Sequence, residues 1–126
     1  MAFKNLLANT HRNHIAALFV TACLAALIGY LTLTPAQFLS LPGNDKLHHL
    51  IGFSALMIPG ALLYRHALYW LLPSVIAFGG AIELIQPYVN RRAEWGDFWA
   101  DTAGALLGVG IGLLLRHVFR NRIGVQ

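Results

Sequence analysis

The chain has 126 residues, 57% of them hydrophobic and 11% charged, with a net charge of +4 and a mean hydropathy of +0.60. That balance excludes a soluble domain of this size and leaves no room for the folded basic surface that a nucleic-acid partner requires. The single cysteine, Cys23, excludes an internal disulfide and a thiolate metal centre.

Crossing about 30 Å of hydrocarbon takes roughly 20 apolar residues, and residues 15–34, 47–64, 67–86 and 98–115 are each long enough. Ahead of them, Phe3, Leu6 and Leu7 beside Lys4 and Arg12 fit either a turn or two of interfacial helix or a plain lead-in. The first apolar stretch exceeds a signal-peptide core of about 7–15 residues and no small-residue cleavage pattern follows it, so it is expected to stay as a span. Cys23 in its middle is expected to be a small apolar core residue. Thr34-Pro35 stops this helix, because proline disfavours helical geometry in the residue before it. Pro42-Gly43-Asn44-Asp45 then makes a turn whose Asn44 or Asp45 can cap the second helix.

The second helix carries Asp45, Lys46, His48 and His49 in its first turns, with Asp45 and His49 four apart on one face. Pro59-Gly60 predicts a bend near its middle. Only Arg65 and His66 separate the second span from the third, which makes the two antiparallel neighbours. The third is interrupted by Pro73 and Gly79-Gly80 and ends with Glu83 and Gln86 on one face, before Pro87 breaks it. In the fourth, Asp97 and Asp101 share a face with Gly104 and Gly108, and Ala100, Gly104, Gly108 and Gly112 form a ridge of small residues suited to close helix contact. Tyr88, Trp95, Phe98 and Trp99 at one end and Tyr64, Tyr69 and Trp70 at the other match the aromatic belts of a membrane interface.

Charge gives the expected orientation. Lys4, Arg12, Arg65, Arg116, Arg120 and Arg122 gather at the two termini and the second loop, while all five acids, Asp45, Glu83, Glu94, Asp97 and Asp101, lie at the opposite ends of the spans with Lys46, Arg91 and Arg92. The net charge thus divides into about +6 on one side and −2 on the other, and the positive-inside rule puts both termini in the cytoplasm. The fold expected is an all-α, integral-membrane bundle of four transmembrane helices in a single domain. The first span packs outside the other three, and the basic side suits the anionic inner leaflet.

Asp45, Lys46, His49, Glu83, Gln86, Arg91, Asp97 and Asp101 all fall within about a turn of the outer ends of spans two to four, so three helices deliver polar groups to one layer. A charge inside an apolar helix costs about 2.5–3.5 kcal/mol on insertion scales and normally faces a partner or a wet cavity. His48 reads as an interfacial neighbour of the layer, and His11, His14, His66 and His117 lie on the other side.

Asp45-Lys46-Leu47-His48-His49 with Phe53 resembles the start of the second helix in the VanZ-like membrane proteins. Glu83-x-x-Gln86 resembles that family's Glu-x-x-Gln, and residues 91–104 resemble its Arg-x(5)-Asp-x(3)-Asn-x-x-Gly block. On this spacing His49 takes the family's histidine and Arg91 its arginine, while Asp101 stands where the family usually has asparagine and adds a negative charge. The resemblance implies a multi-pass protein of the bacterial cytoplasmic membrane acting in the cell envelope. The family is named for a protein conferring low-level teicoplanin resistance, and it implies no reaction.

The residues themselves leave three readings open. The layer binds or handles the headgroup of an amphiphile, lipid-linked or lipoglycopeptide-like, without chemistry. Alternatively it is a metal-assisted membrane enzyme acting on a lipid phosphate: His49, Glu83, Asp97 and Asp101 hold a divalent cation such as Mg²⁺, Mn²⁺ or Ca²⁺, Arg91 and Lys46 grip the phosphate, and His49 or Glu83 is the general base. In the third reading acid–base pairs such as Asp45 with Arg91 or Glu83 with His49 only fasten helix ends.

Overall fold

The computed structural model describes residues 10–123, so the interfacial helix considered for Phe3, Leu6 and Leu7 falls outside the described part. Among the described residues four α-helices carry the fold: α1 (Thr10–Leu33), α2 (Asp45–Leu63), α3 (Leu68–Ile85) and α4 (Trp95–Ile123). All four are long and apolar enough to cross a membrane. With 18 to 29 residues each, they extend between about 27 and 43 Å at 1.5 Å per residue.

Local chemistry sets the ends. α1 stops one residue short of Thr34-Pro35, as proline demands. Asn44 caps α2, its side-chain oxygen accepting from the Lys46 amide at 2.9 Å. A 3₁₀ turn, Arg65–Ala67, joins α2 to α3, and a second, Gln86–Val89, follows α3 until Asn90 turns left-handed at φ 58°. α4 begins at Trp95, a turn earlier than the residue-98 start read from hydropathy, and runs well past residue 115. Toward its end Arg116 donates from Nη1 to the Leu62 carbonyl near the end of α2 at 2.7 Å.

α2 is the central helix, and its contact with α4 is the most extensive of any pair among the described elements. Glycine makes that contact possible. A Cβ on Gly104 would run into the backbone of Leu50, one on Gly108 into the backbone of Ser54, and one on Gly112 would sit 2.5 Å from Ala61 Cβ and 3.0 Å from the Ile58 carbonyl. Steps of four along α4 meet steps of four along α2 in the same sense, so the two helices run parallel, backbone against backbone. Ser54 Oγ donates across this seam to the Gly104 carbonyl at 2.9 Å. The ridge of small residues expected from the sequence is therefore the main packing surface of the bundle.

The core around the seam is Phe53, Leu56 and Met57 from α2, Leu71, Val75 and Ile82 from α3 and Ala105 from α4. α1 lies against it through Leu24, Ala25, Ile28 and Leu33, and Thr21 Oγ1 reaches the Leu56 carbonyl at 3.4 Å. At Pro59-Gly60 the α-helix continues to Leu63, and the glycine serves close approach, since a Cβ there would lie 2.7 Å from Leu71 Cδ2. Cys23 is not a core residue: it is exposed on the outer face of α1, where a small apolar side chain suits lipid as well as it suits a core. Tyr64, read as a belt residue, stacks on His14 with ring centroids 4.5 Å apart.

Candidate functional site

The register of the glycine seam places the polar groups. Continuing the parallel ladder past Leu50 and Gly104 toward the helix starts brings His49 opposite Asp101 and Lys46 opposite Asp97. His49 Nδ1 lies 2.7 Å from Asp101 Oδ1. Its other ring nitrogen, Nε2, is 4.0 Å from Asp97 Oδ2. A carboxylate only accepts, so with Asp101 ionised the Nδ1 position carries a proton and Nε2 is turned toward Asp97. Lys46 Nζ reaches Glu94 Oε2 at 2.8 Å and Asp97 Oδ1 at 3.4 Å. Lys46 folds over Gly96, where a Cβ would stand 2.7 Å from Lys46 Cε.

α3 completes the layer. Glu83 in its last turn accepts from the Glu94 amide through Oε2 at 2.8 Å. One turn earlier, Gly79 makes room for Asp101: a Cβ there would lie 2.8 Å from Asp101 Oδ2 and 3.2 Å from Phe53 Cε1. His49 and Glu83 are each 6% exposed, Asp97 2% and Asp101 0%. Glu83 Oε1 and Asp101 Oδ2 are buried with no hydrogen-bond partner, and Asp97 Oδ1 is reached only by the Lys46 ammonium. Buried polar atoms are normally paired, and each exception needs a physical reason. Two groups offer ligand atoms within 4.8 Å of one another, His49 with Glu83 and Asp101, and Asp45 with His49 and Asp97.

Of the residues read from the sequence, the structure brings together Lys46, His49, Glu83, Asp97 and Asp101, with Asp45 exposed at the rim. It turns Arg91 and Gln86 elsewhere. Arg91 spends its guanidinium on the carbonyl end of α1 and the loop after it, donating from Nε to Thr34 O at 2.8 Å and from Nη2 to Leu39 O at 2.9 Å and Leu31 O at 3.3 Å. Gln86 Nε2 adds a bond to Thr32 O at 3.3 Å. These two residues satisfy carbonyls of the last turn of α1 and of the loop after it, so the partners of Arg91 are these carbonyls and not Asp45. The partner of His49 is Asp101, where the fastening reading set Glu83. Glu94 belongs to the layer through Lys46, although the sequence reading left it out.

Beside the layer, between α3 and α4, lies a cleft of about 620 Å³. Ala77, Ala81, Leu84, Tyr88 and Phe98 are among its walls, and Glu83 and Glu94 also line it. Glu94 lies outside the spans, and the Lys46 ammonium that hydrogen-bonds to it holds its carboxyl below the usual range. Comparison with family models, with curated proteins and with solved structures returned no match to this chain.

Proposed function

We propose that the chain is a VanZ-like multi-pass protein of the bacterial cytoplasmic membrane that binds an amphiphile, with hydrocarbon in the cleft between α3 and α4 and a headgroup against the acidic layer. The observation that carries this reading is the cleft itself: its walls are apolar, its volume of about 620 Å³ is that of a typical ligand pocket, and Glu83, whose Oε1 is buried without a partner, is one of its lining residues. Arg91 is committed to α1 and Lys46 to two carboxylates. The headgroup therefore presents positive charge, as an amine or as a phosphate bridged by a divalent cation. The order of the motifs from Asp45 to Asp101 supports the family, and the division of basic and acidic residues supports cytoplasmic termini.

Filling the cleft tests the reading. Ala81→Trp should strip the lipid that accompanies the purified protein in native mass spectrometry while leaving its melting temperature in detergent unchanged. The same lipid complement in both proteins would refute the cleft as the binding site. Orientation is tested separately in a Cys23→Ser background: a cysteine at Asn44 or Asn90 should react with an impermeant maleimide in intact cells, and labelling of Arg65→Cys instead would reverse the topology.

The fastening reading has an observation of its own, since His49 with Asp101 and Lys46 with Glu94 and Asp97 do tie α2 to α4 and its approach. Fastening alone does not account for a buried Glu83 whose Oε1 bonds nothing.

A further inference from the structure

The acidic layer carries more negative charge than its neighbours answer. Glu83, Glu94, Asp97 and Asp101 converge from α3, α4 and the loop between them, facing the Lys46 ammonium and the His49 imidazole, with the Arg92 guanidinium near Glu94 at the outer edge. Lys46 is drawn to the Glu94 and Asp97 side and leaves the deeper half of the layer to His49 alone. In that half two carboxylate oxygens, Glu83 Oε1 and Asp101 Oδ2, are buried and bond nothing. Their residues are 6% and 0% exposed, in a setting where an uncompensated charge is costly. Asp101 Oδ2 packs against Gly79, one turn below Glu83 on the same helix, where a Cβ would lie 2.8 Å from it.

We propose that His49, Glu83 and Asp101 bind a divalent transition-metal ion, of the Mn²⁺ or Zn²⁺ class, at the inner end of the polar layer. The inference deepens the amphiphile reading, because Glu83 is shared between this set and the cleft. An ion held there offers its remaining positions to a headgroup phosphate entering from the cleft.

The chemistry selects the ion. One imidazole nitrogen with two carboxylates is a mixed nitrogen and oxygen set, which suits Mn²⁺ and Zn²⁺ better than Ca²⁺ or Mg²⁺, whose shells are normally all oxygen. Ligand atoms of the three residues already lie within 4.8 Å of one another. The ion takes the place of the proton between His49 Nδ1 and Asp101 Oδ1, now 2.7 Å apart, and its charge answers the whole carboxylate, whose Oδ2 stays packed against Gly79. Two ligand atoms each about 2.1 Å from a metal and at right angles are about 3 Å apart, so the pair opens by a few tenths of an ångström. That proton leaves to solvent, and binding weakens as pH falls. The second set, Asp45 with His49 and Asp97, is the poorer one, because Lys46 already answers Asp97 and Asp45 is exposed in water.

The test uses the full chain in detergent, stripped with chelator and titrated with MnCl₂ while the electron paramagnetic resonance signal of free Mn²⁺ is followed. One saturable site per chain is expected. Glu83→Gln and Asp101→Asn should each weaken it at least tenfold, and Asp45→Asn should weaken it less than either. Bound Mn²⁺ in the wild-type protein should show electron spin-echo coupling to an imidazole nitrogen, a readout that needs no variant to fold. Absence of saturable binding, absence of nitrogen coupling, unchanged affinity in Glu83→Gln, or a larger loss of affinity in Asp45→Asn than in Glu83→Gln would each overturn the proposal. Native mass spectrometry of the same samples separates it from the amphiphile reading: lipid retained without saturable Mn²⁺ sinks the metal site alone, and Mn²⁺ bound with no lipid lost on Ala81→Trp sinks the cleft alone.

Discussion

Asp101 has no exposed surface, yet only one of its oxygens has a partner, and the position it occupies depends on a residue it does not bond: without the missing Cβ of Gly79 it would not fit. The same residue types do different work a few ångströms apart. Arg91 and Gln86 have the chemistry of a binding site and serve as a cap for α1, because a donor's identity says nothing about which acceptor the fold will bring to it. Glu94, by contrast, is drawn into the layer by Lys46. Its carboxyl is held below the ordinary 4.5 by the hydrogen bond and charge of that ammonium, so the contact contributes stability above the ordinary value and loses it as pH falls through the depressed one. A carboxyl carbon titration by NMR in micelles should find Glu94 below 4.5, and Lys46→Met should return it upward. An unchanged Glu94 titration in Lys46→Met would show that the ion pair does not form.

At the scale of helices, the seam between α2 and α4 links sequence pattern to site geometry. The four-residue glycine spacing was legible, and so was its role as a packing ridge; which helix it would meet was not, because every span offers an apolar face. Once Gly104 and Gly108 abut Leu50 and Ser54, the register that pairs His49 with Asp101 follows, although the two are 52 positions apart in the chain. Gly108→Leu should therefore disrupt the fold as well as the site, since its first side-chain carbon already meets the Ser54 backbone and overpacking costs about 1–3 kcal/mol even where neighbours can yield. Gly110 is the control on the same helix, with nothing within 4 Å of a Cβ placed there. Thermal unfolding in detergent should show a clear loss of melting temperature for Gly108→Leu and none for Gly110→Leu; equal behaviour of the two would contradict the seam.

For the whole molecule, length and hydropathy made four spans legible, with their order and the short link between α2 and α3. They blurred the ends of α4, because Gly96 and Asp97 look like loop and the arginines after Leu115 look like a tail, whereas both stretches belong to the helix. They also misjudged Cys23, since composition cannot tell a core face from a lipid face when both are apolar. The convergence of carboxylates on one end was legible from the positions of the acids, but not which of them would be left without partners. That remainder decides between the two accounts of the layer. If Glu83 and Asp101 serve a ligand, like charges are being held together at a cost to stability, as functional sites commonly do. If they are fasteners, neutralising one strands its partner and costs about 3–5 kcal/mol. The most direct measurement is thermal unfolding of Glu83→Gln and Asp101→Asn in detergent with chelator present. The ligand-site account predicts melting temperatures equal to or above wild type for both variants, and a large drop in both would contradict it.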